Sequence, residues 1–299
     1  MASLLPRPIM PITWSMMRML SVALALLAVC GSCAELRGRK KIQEGTAAYK
    51  RGDFAGAAAR FKEALVFLPH QPIAWLNLGY ACRELVIPGA ATTESRAPAL
   101  CALDAFKHLR ELAPSDPRGD RLYVQTLFDA GEYRTLERAF ISRHERDPSD
   151  IDVVLTLQQV YVRMGRWRDA LAFYRKAAAL RPHDPEAAYS AGTFIWQVLV
   201  AHGGGPAVDR YDPRPRANRP APPAPGPDDV TGGERVALAE EGIAHLARAA
   251  ELRPHFTEAL AYIGLLYRQE SYARFDDPPA WDHAVAEAAT YAARATEKR

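Results

Sequence analysis

The sequence predicts an all-α protein assembled from repeated antiparallel helix pairs, and three observations carry that prediction. Prolines that follow helical stretches, Pro114, Pro148 and Pro182, recur every 34 residues, and a fixed period of this length marks a stacked-repeat architecture. Small and aromatic residues recur at fixed offsets between those prolines. The composition, 48% apolar and 24% charged over 299 residues, is that of an ordinary folded chain. It argues against global disorder and against a polytopic membrane protein.

Residues 1–33 read as an export signal. Arg18 precedes an apolar run, Met19–Val29, which is too short for the ~20 residues of a membrane-spanning helix but suits the core of a signal peptide. Pro6, Pro8 and Pro11 break any helix ahead of it, so Met16 or Met17 would make a more economical start. Ser32 before Cys33 fits a lipoprotein signal, in which Cys33 is acylated and anchors the chain to a periplasm-facing membrane. Ser32-Cys33-Ala34 also fits an ordinary signal peptidase, which would leave a soluble periplasmic or secreted protein. An uncleaved anchor is the third reading, and the two cleaved routes both predict export.

From Gly38 onward the 34-residue register runs to the end of the chain. Copies start near Gly38, Pro72, Pro117, Ile151, Pro185 and Thr257, with insertions in the second, fifth and sixth. Each copy reads as helix, turn, helix. Small residues at positions 8 and 20 of the register (Gly45 with Ala57, Gly79 with Ala102) let the two helices approach closely. Gly192 and Gly264 stand at position 8 in the fifth and sixth copies. Aromatic residues at positions 17 and 24 (Phe54, Phe61; Trp167, Tyr174) are expected to fill the gap to the next copy. Glycine at position 15 permits the turn, and proline at position 32 stops the second helix. The third copy is the weakest, with Val124 at position 8 and Leu136 at position 20. One copy cannot stand alone. Fixing its backbone costs roughly 35–70 kcal/mol of entropy, and stacking on neighbours buries the apolar face that offsets this.

The period, together with Trp75-Leu-Asn-Leu78-Gly79-Tyr80-Ala81, Gly52, Ala64 and Pro69, and Leu157, Tyr161, Gly165, Ala177 and Pro182, resembles the tetratricopeptide-repeat family over residues 38–299. The resemblance implies a right-handed superhelical solenoid of six helix pairs with three insertions. It also places positions 2, 5, 9 and 12 of each first helix on a concave groove. Candidate groove residues are Tyr49, Tyr80, Arg121, Gln125, Gln159, Tyr189, Thr193, Trp196 and Arg268. Leu76, Phe128 and Leu155 occupy the same positions but are equally readable as core. Aromatic rings with a few Arg and Gln suit an extended or helical peptide. Members of the family that grip chaperone C-terminal carboxylates carry Lys and Asn, then Asn, then Lys and Arg in successive copies. Here Ile42 and Thr46 stand in the first copy, Asn77 matches in the second, and the third has Arg118 but Leu122, so that clamp is not assembled.

Residues 203–233 hold 8 of the 23 prolines and 6 of the 19 glycines, between the two helices of the fifth copy. A flexible or polyproline-like insertion is expected there, made locally basic by Arg210, Arg214, Arg216 and Arg219. The insertion in the second copy, near Val86–Ala99, is flanked by Cys82 and Cys101. These either pair in an oxidising compartment or sit as small buried residues. The net charge of +3, or +1 without residues 1–32, gives no broad electrostatic reason to bind nucleic acid.

No catalytic, metal or cofactor constellation emerges. His70, His183 and His255 each follow a position-32 proline, at least a repeat apart and too far to share an ion. His144-Glu145 and Asp276-Asp277 read as isolated, solvated pairs. The expected function is a non-enzymatic interaction scaffold of the bacterial cell envelope that binds a peptide or partner protein. The alternative is a helper subunit of an envelope enzyme, or of a secretion or pilus assembly machine of the pilotin kind.

Overall fold

A computed structural model describes residues 33–88, 93–203 and 226–297. The expected signal up to residue 32 and most of the proline-rich insertion lie outside the described residues. The described residues form helices and turns, with no strand. They divide into two compact units. The first, up to Glu132, contains α1 (33–50), α2 (Phe54–Phe67), α3 (Pro72–Arg83), α4 (Thr93–Leu112) and α5 (Pro117–Asp129). The second, from Tyr133, contains α6 (Tyr133–Arg146), α7 (Ile151–Arg163), α8 (Trp167–Leu180), α9 (Pro185–His202), α10 (Gly232–Leu252), α11 (Thr257–Ser271) and α12 (Pro278–Glu297). The dividing point falls within the third copy of the register.

Local chemistry sets the helix ends. Three first helices, α5, α7 and α9, start at an Asp whose carboxylate accepts a backbone N–H of the first turn: Asp116 from Arg118, Asp150 from Asp152 and Val153, and Asp184 from Glu186. Proline occupies the first helical position in α3, α5 and α9, where its missing N–H costs nothing. Three first helices, α1, α5 and α7, end at glycines in the left-handed region, Gly52, Gly131 and Gly165, with φ of 79°, 72° and 69°. At each, two backbone bonds close the end: the glycine N–H reaches back three residues, and the next N–H reaches back five, as in Asp53 to Ala48. This is the turn expected of position 15.

The small residues make room for large ones. A Cβ on Gly45 would meet the Phe61 ring at 2.7 Å, and one on Gly79 would run into Phe106. Phe61 and Phe106 are both at position 24, so these rings pack within their own pair, and Phe61 also lines a cavity with Asn77 and Tyr80 of the next copy. In the fourth copy the inter-copy expectation holds. Tyr174 stacks on Phe194 at 4.2 Å between centroids, and Trp167 meets His202 at 5.6 Å. A Cβ on Gly192 would meet Leu246 at 2.5 Å and the Gly242 carbonyl at 2.9 Å. Position 20 is fully buried in Ala57, Ala102, Leu136, Ala170 and Ala284, so Leu136 fills that slot although it is not small.

The insertions are partly helical. Residues 93–99 extend α4 and bury Ala99, so the loop in the second copy is shorter than the sequence suggests. Cys82 and Cys101 form a disulfide, with Cα atoms 5.9 Å apart, that ties the end of α3 to α4. In the fifth copy α9 and α10 are 18 and 21 residues long, and the ends of the insertion lie together. The Val230 N–H donates to the His202 carbonyl at 3.0 Å. Buried Arg235 donates to the Gly203 carbonyl and, at 2.6 Å, to Gln269 Oε1. Burial lowers its pKa to about 10, which leaves it charged at neutral pH.

Among the described residues no helix is long and apolar enough to cross a membrane. Gly79→Val should destabilise the protein by about 3 kcal/mol, because its methyl groups overlap a ring with no room to move. A fall in thermal midpoint of several degrees, with Gly233→Ala as a neutral reference, measures it.

Candidate functional site

In the first unit, Tyr49 on the last turn of α1 and Tyr80 on α3 line a cavity of about 260 Å³ with Thr46, Phe61 and Asn77. Each wall is fixed from behind. Tyr80 meets Phe106 edge-on at 6.1 Å, and Phe106 is held by Gly79. Tyr49 meets Phe54 edge-on at 5.1 Å and donates from its hydroxyl to Glu84 Oε1 at 3.2 Å. Burial, then the Glu84 charge, push the Tyr49 phenol above its ordinary pKa, so it stays protonated and a donor. Thr46 Oγ1 donates to the Ile42 carbonyl at 2.8 Å, which orients its side chain. Asn77 is half-buried at the cavity wall.

The second unit gathers a different set. Tyr262 of α11 lies beside two rings of α9, 5.9 Å from Tyr189 and 5.1 Å from Trp196, with its plane turned 78° and 76° from theirs. Tyr189 also packs against buried Phe256 at 4.7 Å. Thr193, between the two α9 rings, donates its hydroxyl to the Tyr189 carbonyl at 2.9 Å.

The remaining expected groove residues are placed less tightly. Arg121 and Gln125 are exposed one turn apart on α5, outside the cavity lining. Gln159 and Arg268 are exposed on α7 and α11. Leu76 is buried at 3% exposure and belongs to the core, the second of its two readings. Phe128 and Leu155 are half-buried. Tyr262 and Phe256 are not among the expected groove residues, and Asn77 enters the sequence reading only through its match to the carboxylate clamp. Tyr262 and Asn77 sit at position 6, one residue beyond the expected position 5. A helix face wider than 100° admits both positions, which was the available signal.

Cys33 is exposed with a free thiol at the start of α1. Among the described residues no group of three His, Cys, Asp or Glu could hold a metal ion. His144 corrects the expectation of a solvated pair. Its Nε2 accepts from Lys176 Nζ at 2.7 Å, its ring lies 5.2 Å from Phe173, and its Nδ1 is buried with no hydrogen-bond partner.

The tetratricopeptide-repeat family model matches residues 42–94 and 155–197, one segment in each unit. The first contains the cavity's tyrosines and the second both α9 rings. These two segments are similar to tetratricopeptide repeats, a repeat type that supports a protein–protein interaction scaffold. Among curated proteins none matches the chain in sequence. Solved structures that align with it include MamA from Desulfovibrio magneticus, at 12% identity over 88% of this chain and 94% of that one with a TM-score of 0.30. YrrB, described as a tetratricopeptide-repeat protein with an unusual peptide-binding site, aligns at 15% identity over 78% and 97% with a TM-score of 0.38. PilF of Pseudomonas aeruginosa aligns at 12% identity over 87% and 99% with a TM-score of 0.37. Similarities this distant carry no argument about function.

Burial, and then the Lys176 ammonium, hold the His144 pKa below its ordinary 6.5 in the folded state. The unfolded chain therefore binds more protons as pH falls through 6.5, and the folded state loses stability there. His144→Gln, which keeps an acceptor for Lys176 but does not titrate, should flatten the fall in thermal midpoint between pH 7.5 and pH 5.5.

Proposed function

We propose that the protein is an exported, non-enzymatic scaffold that binds a segment of a partner protein through the aromatic side chains of its first helices. The observation that carries this is the cavity between Tyr49 and Tyr80. Its volume of about 260 Å³ falls below the ~300–1,000 Å³ of small-molecule pockets, which suits one bulky side chain of a peptide better than a whole metabolite. Rigid aromatic walls with a polar handle are what interface hot spots use, because ordering such rings on binding costs little entropy. Asn77 adds an amide that can pair with a peptide backbone. The rings of α9 and α11 offer a second apolar surface in the other unit.

Export is supported by the Met19–Val29 run ahead of Cys33 and by the Cys82–Cys101 disulfide, since structural disulfides persist outside the reducing cytosol. Acylation of Cys33 would then hold the scaffold at a membrane surface.

Affinity capture with the full chain from its native envelope tests the groove. Tyr49→Ala/Tyr80→Ala should weaken capture of its partner at least about tenfold, while Val66→Ser, an exposed change on α2, should not. Capture that survives the double substitution would sink the groove reading. Acylation is tested separately. Globomycin should make the precursor accumulate, and Cys33→Ala should release the chain from membranes; a Cys33→Ala protein that stays membrane-bound would overturn the anchor.

A further inference from the structure

In the second unit arginines repeatedly sit between an aromatic face and a carboxylate: Arg166 over Tyr161 with Glu137, Arg168 over Trp167 with Glu234, and Arg253 over Phe256 with Glu186. Arg253 lies over the Phe256 ring at 4.3 Å and pairs with Glu186 at 2.5 Å. A guanidinium between an aromatic face and a carboxylate gains from both. The neighbouring Tyr189–Tyr262 corner repeats the other two components. Tyr189 packs on Phe256 and on Tyr262. Glu258 stands one turn before Tyr262 on α11, so the two share a helix face. Its charge, with that of Glu186, acts on the Tyr189 hydroxyl. Glu258 is exposed, and the partner it has is the neighbouring Thr257 hydroxyl at 3.3 Å; among the described residues no basic side chain pairs with it. Both rings are half-buried, and Trp196 continues the aromatic surface along α9.

We infer that the Tyr189–Tyr262 corner, with Glu258 at its rim, takes an arginine or lysine side chain from a partner peptide, with the cation against the ring faces and paired to the Glu258 carboxylate. The inference rests on the reading of the protein as a peptide-binding scaffold, and it names the chemistry that one subsite selects. Charge complementarity and the Arg253–Phe256–Glu186 precedent beside it favour a cation over an acidic or purely apolar side chain. The occupant is a peptide cation rather than a free metal ion, because the corner supplies ring faces and one carboxylate instead of several oxygen ligands.

The test uses the full chain and an immobilised pool of dodecapeptides that each carry one arginine, beside the same pool with citrulline, its neutral isostere. Wild type should bind the arginine pool about tenfold more tightly. Glu258→Gln should erase that preference without changing the thermal midpoint, and Glu258→Lys should reverse it toward a pool carrying glutamate. Equal binding of the arginine and citrulline pools would overturn the inference and leave the scaffold reading standing. So would a preference that persists in Glu258→Gln. Binding to none of the pools would overturn both.

Discussion

The Phe106 ring occupies the space where the Cβ of any residue but glycine at position 79 would be. The same exclusion recurs between Gly45 and Phe61 and between Gly192 and Leu246. Each case presses a bulky side chain of the second helix against bare backbone of the first. Ridge-into-groove packing alone would hold the helices farther apart. The contact fixes separation and rotation together, because the bulky side chain sits where a Cβ would be and meets the facing backbone directly. Everything on the first helices is then aimed by that register, including the tyrosines at positions 9 and 12. Capping carboxylates and left-handed glycines set where each helix starts and stops, but the buried rings decide what each helix faces.

A framework fixed in this way accounts for the two aromatic surfaces. Tyr80 is held from behind by Phe106, and Tyr49 by Phe54 and the Glu84 carboxylate. Tyr189 is backed by Phe256. Rings ordered before a partner arrives lose little entropy on binding. The surface ion pairs contribute differently. Arg175 grips Glu241 with two bonds of 2.6 Å, and Arg166 joins Glu137 at 2.5 Å. Burial would raise the Glu241 pKa, but the Arg175 and His245 bonds outweigh it and hold the carboxyl at about 2. Exposed pairs of this kind add at most about 1 kcal/mol each and mainly help keep the helices in register.

The fifth copy shows how a long insertion coexists with such a register. Arg235 is buried at 3% exposure, with its guanidinium 5.1 Å from the Tyr272 ring. A buried charge is tolerated only when it is well paired, and here its partners include the Gly203 carbonyl and Gln269. That bond and the Val230–His202 bond bring the two ends of the insertion together. Its length therefore does not disturb α9 and α10, in keeping with the slow growth of loop-closure entropy with length.

The sequence by itself determined the helix pairs, their period, their turns and the turn glycines. All of these are set by interactions within a few residues, where propensity and φ/ψ limits act directly. It also narrowed the disulfide to two readings and placed Tyr49, Tyr80, Tyr189 and Trp196 on first helices. The tertiary structure decided what depends on residues far apart in the chain. Leu76 went to the core, although it shares its helix with Tyr80. Tyr262, displaced by one position, joined Tyr189 and Trp196 across two helices. His144 left solvent to meet Lys176 from another repeat, and Arg235 found Gln269. Periodicity gives the direction of a side chain to within the width of a helix face. Only the packed neighbours, whose volumes and charges no local pattern contains, decide whether that face meets core, another ring or water.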